Sequence, residues 1–198
     1  MAKTRPKDSK SSKKDRNLKS KDILSGTIVP TRRKPQPVNA SSLLGEAAVL
    51  LQTGQPDAAL PIAQQALSLL SASGSPTPAA LPALSLIGEI QVEIGDAPSA
   101  LETFQAVVSL DPEGSLPENR GAGAEPFLWL AQLCEGGGKE SIQWFECGVK
   151  VLERDITALE SQKGREQEIE EKRRKLAAAI CGIIEVWMTD LSYGCYTS

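Results

Sequence analysis

The sequence predicts an all-α solenoid of stacked helical hairpins (39–198) behind a disordered basic N-terminal tail (1–38), and three observations carry that expectation. Apolar residues recur at helical spacing from Ala40 onward. A pattern of small and large residues anchored at Gly54 returns 41 positions later at Gly95. The composition, 40 % apolar with only 4 % aromatic residues, suits a helical repeat better than a β-sandwich, and 198 residues allow one ordinary domain plus a tail.

Residues 1–38 lack apolar periodicity and are rich in Lys, Ser and Pro, so no core can form there. Residues 1–40 hold 12 of the 22 Lys and Arg against Asp8, Asp15 and Asp22, a balance of about +9; residues 41–198 carry 10 basic and 22 acidic side chains, about −12. The chain is a basic tail on an acidic body. Two clusters, Lys13, Lys14 and Arg16, then Arg32, Arg33 and Lys34, have the composition of a nuclear import signal or a phosphate-contacting arm. An import factor is then a candidate partner, while a solubilising tail without a partner explains the same residues. No aromatic residue is interleaved to stack on single-stranded bases, and no direct nucleic-acid function is expected.

The first hairpin is expected over 41–71. Ser41 or Ser42 is the candidate cap, Leu43, Leu44, Ala47, Leu50 and Leu51 form the first stripe, and Ala59, Leu60, Ala63 and Leu67 the second. A link, SASGSPTP, leads to the second hairpin, 79–111. There Gly88 lies seven residues before Gly95, Gly95-Asp96 opens a run through Ala100, Phe104 and Val107, and Asp111-Pro112 closes it. Two crossing helices need small side chains at their closest approach, so Gly88 is expected to face Ala100. Gly95 can take positive φ at a helix end, and Pro112 cannot continue a helix. This is the spacing of a tetratricopeptide hairpin, with a period longer than the usual one of about 34 residues.

A third hairpin is expected over 125–153, after a link at 113–125. Ser141, Ile142, Phe145 and Val149 fall 41 positions after Ala100, Leu101, Phe104 and Val108. Its first helix, 127–134, reaches Ser141 about two residues early, so Gly136-Gly137-Gly138 must turn tightly or the register must shift. Trp129 and Trp144 either anchor a ligand peptide or fill the inter-hairpin core. A long helix is expected over 155–191. Its first part is charged, with Glu168 and Lys172, Glu170 and Arg174, and Glu171 and Lys175 at i,i+4. Its second part carries Leu176, Ile180, Ile183, Ile184 and Trp187, a stripe that would pack on the third hairpin as the first helix of a fourth unit.

Site chemistry argues against an enzyme. Without histidine, Ser-His-Asp and Cys-His arrangements are impossible. Gly136-Gly137-Gly138-Lys139 is followed by Glu and preceded by a helix, unlike a phosphate-binding loop. Cys134, Cys147, Cys181 and Cys195 match no zinc spacing; the first three are expected to be small buried thiols, and no metal, disulfide or cofactor is expected. No signal peptide or membrane span is recognisable, since the apolar run 176–188 is interrupted by Glu185, and the cytosol or nucleus is the expected location.

Binding remains. In stacked hairpins the first helices line the concave groove, so the candidate client-binding residues are Glu89 and Glu93, then Glu125, Trp129, Gln132 and Glu135, then Glu185 and Asp190. An acidic groove selects a basic partner, although each carboxylate taken singly is also what a solvated face carries. A clamp for the acidic tails of heat-shock chaperones would need Lys, Arg and Asn where this chain has Ser85 and Glu89. A general interaction scaffold, and an RNA-associated adaptor using the tail, are the other readings; a scaffold need not prefer a basic partner or bind in a salt-sensitive way.

Two segments, EPFLWLAQLCEGGGKESIQWFECGVKVL from Glu125 and IIEVWMTDLS ending at Ser192, resemble the fungal tetratricopeptide-type dedicated assembly chaperone of the fourth large-subunit ribosomal protein. The resemblance spans roughly residues 20–192, and Trp187-Met188-Thr189-Asp190-Leu191 is its most specific part. It implies a non-enzymatic protein that captures a newly made basic ribosomal protein by its long internal loop, shields it, escorts it into the nucleus and releases it on pre-ribosome assembly. That family continues with an acidic stretch and further hairpins, whereas Tyr193 to Ser198 fit no repeat, so this chain is expected to be a truncated or differently spliced form.

Overall fold

Helix formation begins just before the two serines. Asn39 caps α1 (Ala40–Gln52): its Oδ1 accepts from the Ser42 N–H at 2.6 Å. A capping oxygen takes an amide two or three residues on, so Ser41 and Ser42, expected as caps, lie inside the first turn instead. The computed structural model describes residues 39–71, 77–134 and 138–191, and within them every regular element is helical. α2 (Pro56–Leu70), α3 (Leu81–Ile94), α4 (Ala97–Leu110), α5 (Glu125–Leu133), α6 (Gly138–Glu160) and α7 (Glu166–Val186) follow, and α7 runs into a π-helical turn at Trp187–Leu191. Each helix packs on the next, which is the all-α hairpin solenoid that the periodicity predicts.

The 41-residue repeat is visible in the backbone. After α1, Gly54 has φ 73°; its N–H reaches the Leu51 carbonyl at 3.0 Å and that of Gln55 reaches Leu50 at 2.9 Å. After α3, Gly95 has φ 87°; its N–H reaches Val92 at 3.0 Å and that of Asp96 reaches Gln91 at 2.9 Å. Both are Schellman turns, with donors and acceptors displaced by one repeat. Asp96 then caps α4 through the Ser99 N–H at 3.3 Å.

Small residues set the helix separations. Ala47, Ala59 and Ala63 pack with Ile87 and Ile90 among the first three helices. At Gly88, expected to face Ala100, the nearest side-chain atoms belong to Phe104. The Phe104 ring stands over it, 2.6 Å from where a Cβ would sit, because a residue one turn beyond Ala100 has the reach to fill the crossing. Ala100 is buried beside Phe104 and Leu130 at the interface with α5. Phe145, one repeat later, uses Gly182 of α7 in the same way, again at 2.6 Å.

The charged stretch after residue 153 is organised differently from the expectation. α6 continues through Glu160, and α7 starts at Glu166 rather than near 155. Ile156 and Leu159 are buried and prolong the apolar stripe of α6, and the chain turns only at Gly164, which has φ 84°. The stripe on α7 also divides. Leu176, Ala179 and Ile183 pack inward against α5 and α6, whereas Ile180, Ile184, Trp187 and Met188 face outward with 43 %, 50 %, 55 % and 67 % of their surface exposed. Cys181 borders the cavity between α5 and α7 and is exposed, contrary to the expected buried thiol, while Cys134 and Cys147 are half-buried.

The link between α4 and α5 is packed. The Asp111 carboxylate accepts from the Ser115 N–H, the Ser115 hydroxyl and the Leu116 N–H, each at 2.9 Å. Ser85 on α3 donates to the Gly121 carbonyl at 2.6 Å, and Arg154 on α6 donates to the Glu113 carbonyl at 3.0 Å. Gly121 has φ 71°, and a Cβ there would stand 2.5 Å from the Leu81 carbonyl oxygen, so no side chain fits.

Candidate functional site

The first helices of the hairpins share one lined face. Ser41, Leu44, Ser85 and Glu89 border a cavity of about 590 Å³ between α1 and α3. Leu128, Trp129, Gln132, Phe145 and Glu185 border one of about 550 Å³ between α5 and α7. A small cavity of about 50 Å³ joins them, walled by Ser85, Glu89, Glu118, Glu125 and Trp129. Five of the sequence-selected residues, Glu89, Glu125, Trp129, Gln132 and Glu185, thus line one continuous face. Glu93 is exposed and lines none of these cavities. Glu135, the side chain of Asp190, and the clusters Lys13, Lys14, Arg16 and Arg32, Arg33, Lys34 lie outside the described residues.

The middle of this face is not an open acidic surface. The short turn Glu118–Arg120, anchored by the Ser85 hydrogen bond next to it, carries Glu118 in between α3 and α7. Lys172 Nζ donates to Glu118 at 2.8 Å and to Asp155 at 3.0 Å. Lys175 Nζ donates to Glu125 at 2.5 Å and lies 3.8 Å from Glu118 and 3.7 Å from Glu171. Burial by itself would lower both lysine pKa values; hydrogen bonds and attraction from these carboxylates outweigh it and hold both ammonium groups above the usual lysine range. The Glu89 carboxyl is pushed above the usual carboxylate range by burial first and by the Glu125 charge second, with Lys175 opposing.

Sequence reading missed Glu118 and gave Lys172 and Lys175 only local partners. Lys175 does approach Glu171, but Lys172 pairs with residues 54 and 17 positions away. Glu118 sits in a link with no periodicity, so no pattern marked it. One signal was readable: residues 41–119 hold nine carboxylates and no Lys or Arg, so any cation near Glu89 must come from elsewhere.

The tryptophans resolve toward packing. Trp129 stacks on Phe104 with centroids 6.0 Å apart and planes at 11°, and Trp144 meets Phe127 at 6.4 Å. Both join the inter-hairpin core, and Trp129 also lines the groove cavities.

The tetratricopeptide repeat family matches residues 39–113. The chain is 49 % identical over 154 residues to the probable assembly chaperone of rpl4 from Emericella nidulans, covering 77 % of this chain and 38 % of that protein. It is 34 % identical over 109 residues to the probable assembly chaperone of rpl4 from Schizosaccharomyces pombe, covering 55 % and 29 %. A solved structure of the assembly chaperone of RpL4 (Acl4), residues 1–338, matches with a TM-score of 0.70 at 42 % identity, covering 78 % of this chain and 56 % of that one. Hairpin geometry and sequence together make this chain a tetratricopeptide-repeat protein. Within that class it is a relative of the assembly chaperones of rpl4, and it spans 38 % of the length of the Emericella nidulans protein.

Proposed function

We propose that this protein is a non-enzymatic chaperone that holds a newly made, basic large-subunit ribosomal protein of the rpl4 type along the lined face. The kinship supplies the class of client. The observation that carries the site is charge: a half-solenoid without Lys or Arg and with nine carboxylates, of which only Glu118 is in an ion pair among the described residues, leads into the cavities bordered by Glu89 and Glu185. A Lys- and Arg-rich loop of the client offsets those charges, and long-range attraction speeds its encounter. Ribosomal RNA, with its dense phosphates, then competes for the same loop at the pre-ribosome. The basic clusters of the tail serve import of the loaded complex into the nucleus, recognised there by an import factor.

The test is calorimetry of the full chain with an rpl4-type ribosomal protein at low and moderate salt. Binding that weakens steeply with salt and with Glu89→Lys supports the proposal. Absence of binding at low salt overturns it, and salt-insensitive binding of a neutral segment favours a general scaffold instead. Removing residues 1–38 is expected to leave affinity for the client intact and to abolish nuclear accumulation of a fluorescent fusion.

A further inference from the structure

We infer that the cavity between α5 and α7 is a subsite for one arginine side chain of the bound segment. The inference rests on the chaperone reading for the partner's identity, while the ligand chemistry comes from the cavity itself. Its floor is aromatic and aliphatic, with Leu128, Trp129 and Phe145, and it encloses about 550 Å³. Three charged groups border it, Glu125, Lys175 and Glu185. Lys175 donates to Glu125 at 2.5 Å, so those two offset one another. The Glu185 carboxylate makes no ion pair or hydrogen bond among the described residues, and the Thr189 hydroxyl donates to its backbone carbonyl rather than to its side chain. The cavity therefore carries one uncompensated negative charge beside an indole.

That indole is held in place. Trp129 stacks on Phe104 with planes at 11°, which fixes the surface it offers to the cavity. Gly182 keeps α7 close, since a Cβ there would stand 2.6 Å from the Phe145 ring. A guanidinium is the cation suited to such a site: it is planar and weakly hydrated, lies against an aromatic system and pairs with a carboxylate in the same plane. A lysine ammonium is more strongly hydrated and gains less on entry. An acidic segment meets Glu185 directly, and a purely apolar one leaves that carboxylate without a counter-charge.

The test uses two synthetic peptides of equal length and charge, alternating Arg-Ala and alternating Lys-Ala, titrated against the full chain with tryptophan fluorescence and calorimetry as readouts. The arginine peptide is expected to bind about tenfold more tightly than the lysine peptide. Glu185→Gln, at an exposed position, removes most of that preference without moving the melting temperature, whereas Glu93→Gln, outside the cavity, weakens both peptides alike. Equal affinities, a preference that survives Glu185→Gln, or no measurable binding of the arginine peptide each overturns the subsite. Binding of an rpl4-type client without arginine preference removes the subsite and leaves the chaperone reading standing; arginine preference without client binding does the reverse.

Discussion

The first four helices and the last three follow one hairpin plan and hold it by different means. In α1–α4 the contacts are apolar: Ala47, Ala59, Ala63, Ala66 and Ala100 are fully buried beside Leu81, Ile90 and Phe104, and Gly88 lets the Phe104 ring into the crossing. In α5–α7 ion pairs are added to the apolar clusters, and every ion pair among the described residues lies within residues 118–175. Apolar packing needs no counter-charges, and no carboxylate of α1–α4 is held in an ion pair among the described residues. The second half consumes its own, because Lys172 and Lys175 tie α7 to Glu118, Asp155 and Glu125.

The contrast is most severely tested in the apolar half. Phe104→Ala removes a ring that is 1 % exposed at the junction of α3, α4 and α5 and is expected to destabilise the protein by about 3–5 kcal/mol in chemical denaturation. A loss below about 1 kcal/mol would mean that the hairpins are not held there. Gly88→Ala comes next, at about 1–3 kcal/mol, because its new methyl group meets the same ring. Combined with Phe104→Leu it is expected to cost less than the sum of the two changes, since the shorter side chain vacates the clash.

A smaller effect is expected in the charged half. Lys172→Met leaves Glu118 and Asp155 facing each other without their shared cation, a loss of about 1–2 kcal/mol that shrinks as salt is raised. Lys175→Met is expected to cost less, its side chain being 26 % exposed against 13 % for Lys172. If salt leaves the Lys172→Met difference unchanged, packing of the lysine stem rather than charge holds α7.

The smallest effect is at Glu89. Its pKa is raised in the folded state by burial and by Glu125, so its protonated form favours folding; that stabilisation is complete below the ordinary carboxylate range and is lost as pH rises through the raised value. Glu89→Gln is therefore expected to be slightly more stable than the unmodified protein at neutral pH, with the difference vanishing in acid. Thermal melts across that range check it, and a variant less stable at neutral pH would show that the Lys175 attraction dominates instead.

Much of the fold was legible because its determinants are local. The glycine turns at Gly54 and Gly95 and the stripe of α3 follow from a few consecutive residues. The break at residues 161–165 was not legible, since the charge of its surroundings concealed that Ile156 and Leu159 still belong to the α6 face. For the site, the first-helix rule found Glu89, Trp129 and Glu185 but treated Glu125 as open, when Lys175 already occupies it.

The sequence by itself determined the helices of the first two hairpins, their pairing and the separation of a basic stretch from an acidic one, because periodicity, turn chemistry and net charge are properties of short segments. Which carboxylates stay free was decided by tertiary structure alone. Lys172 is brought to Glu118, 54 residues away, when the link folds over α3. An ion pair between half-buried groups is screened less than one between solvated neighbours at i,i+4, and the distant partner therefore wins.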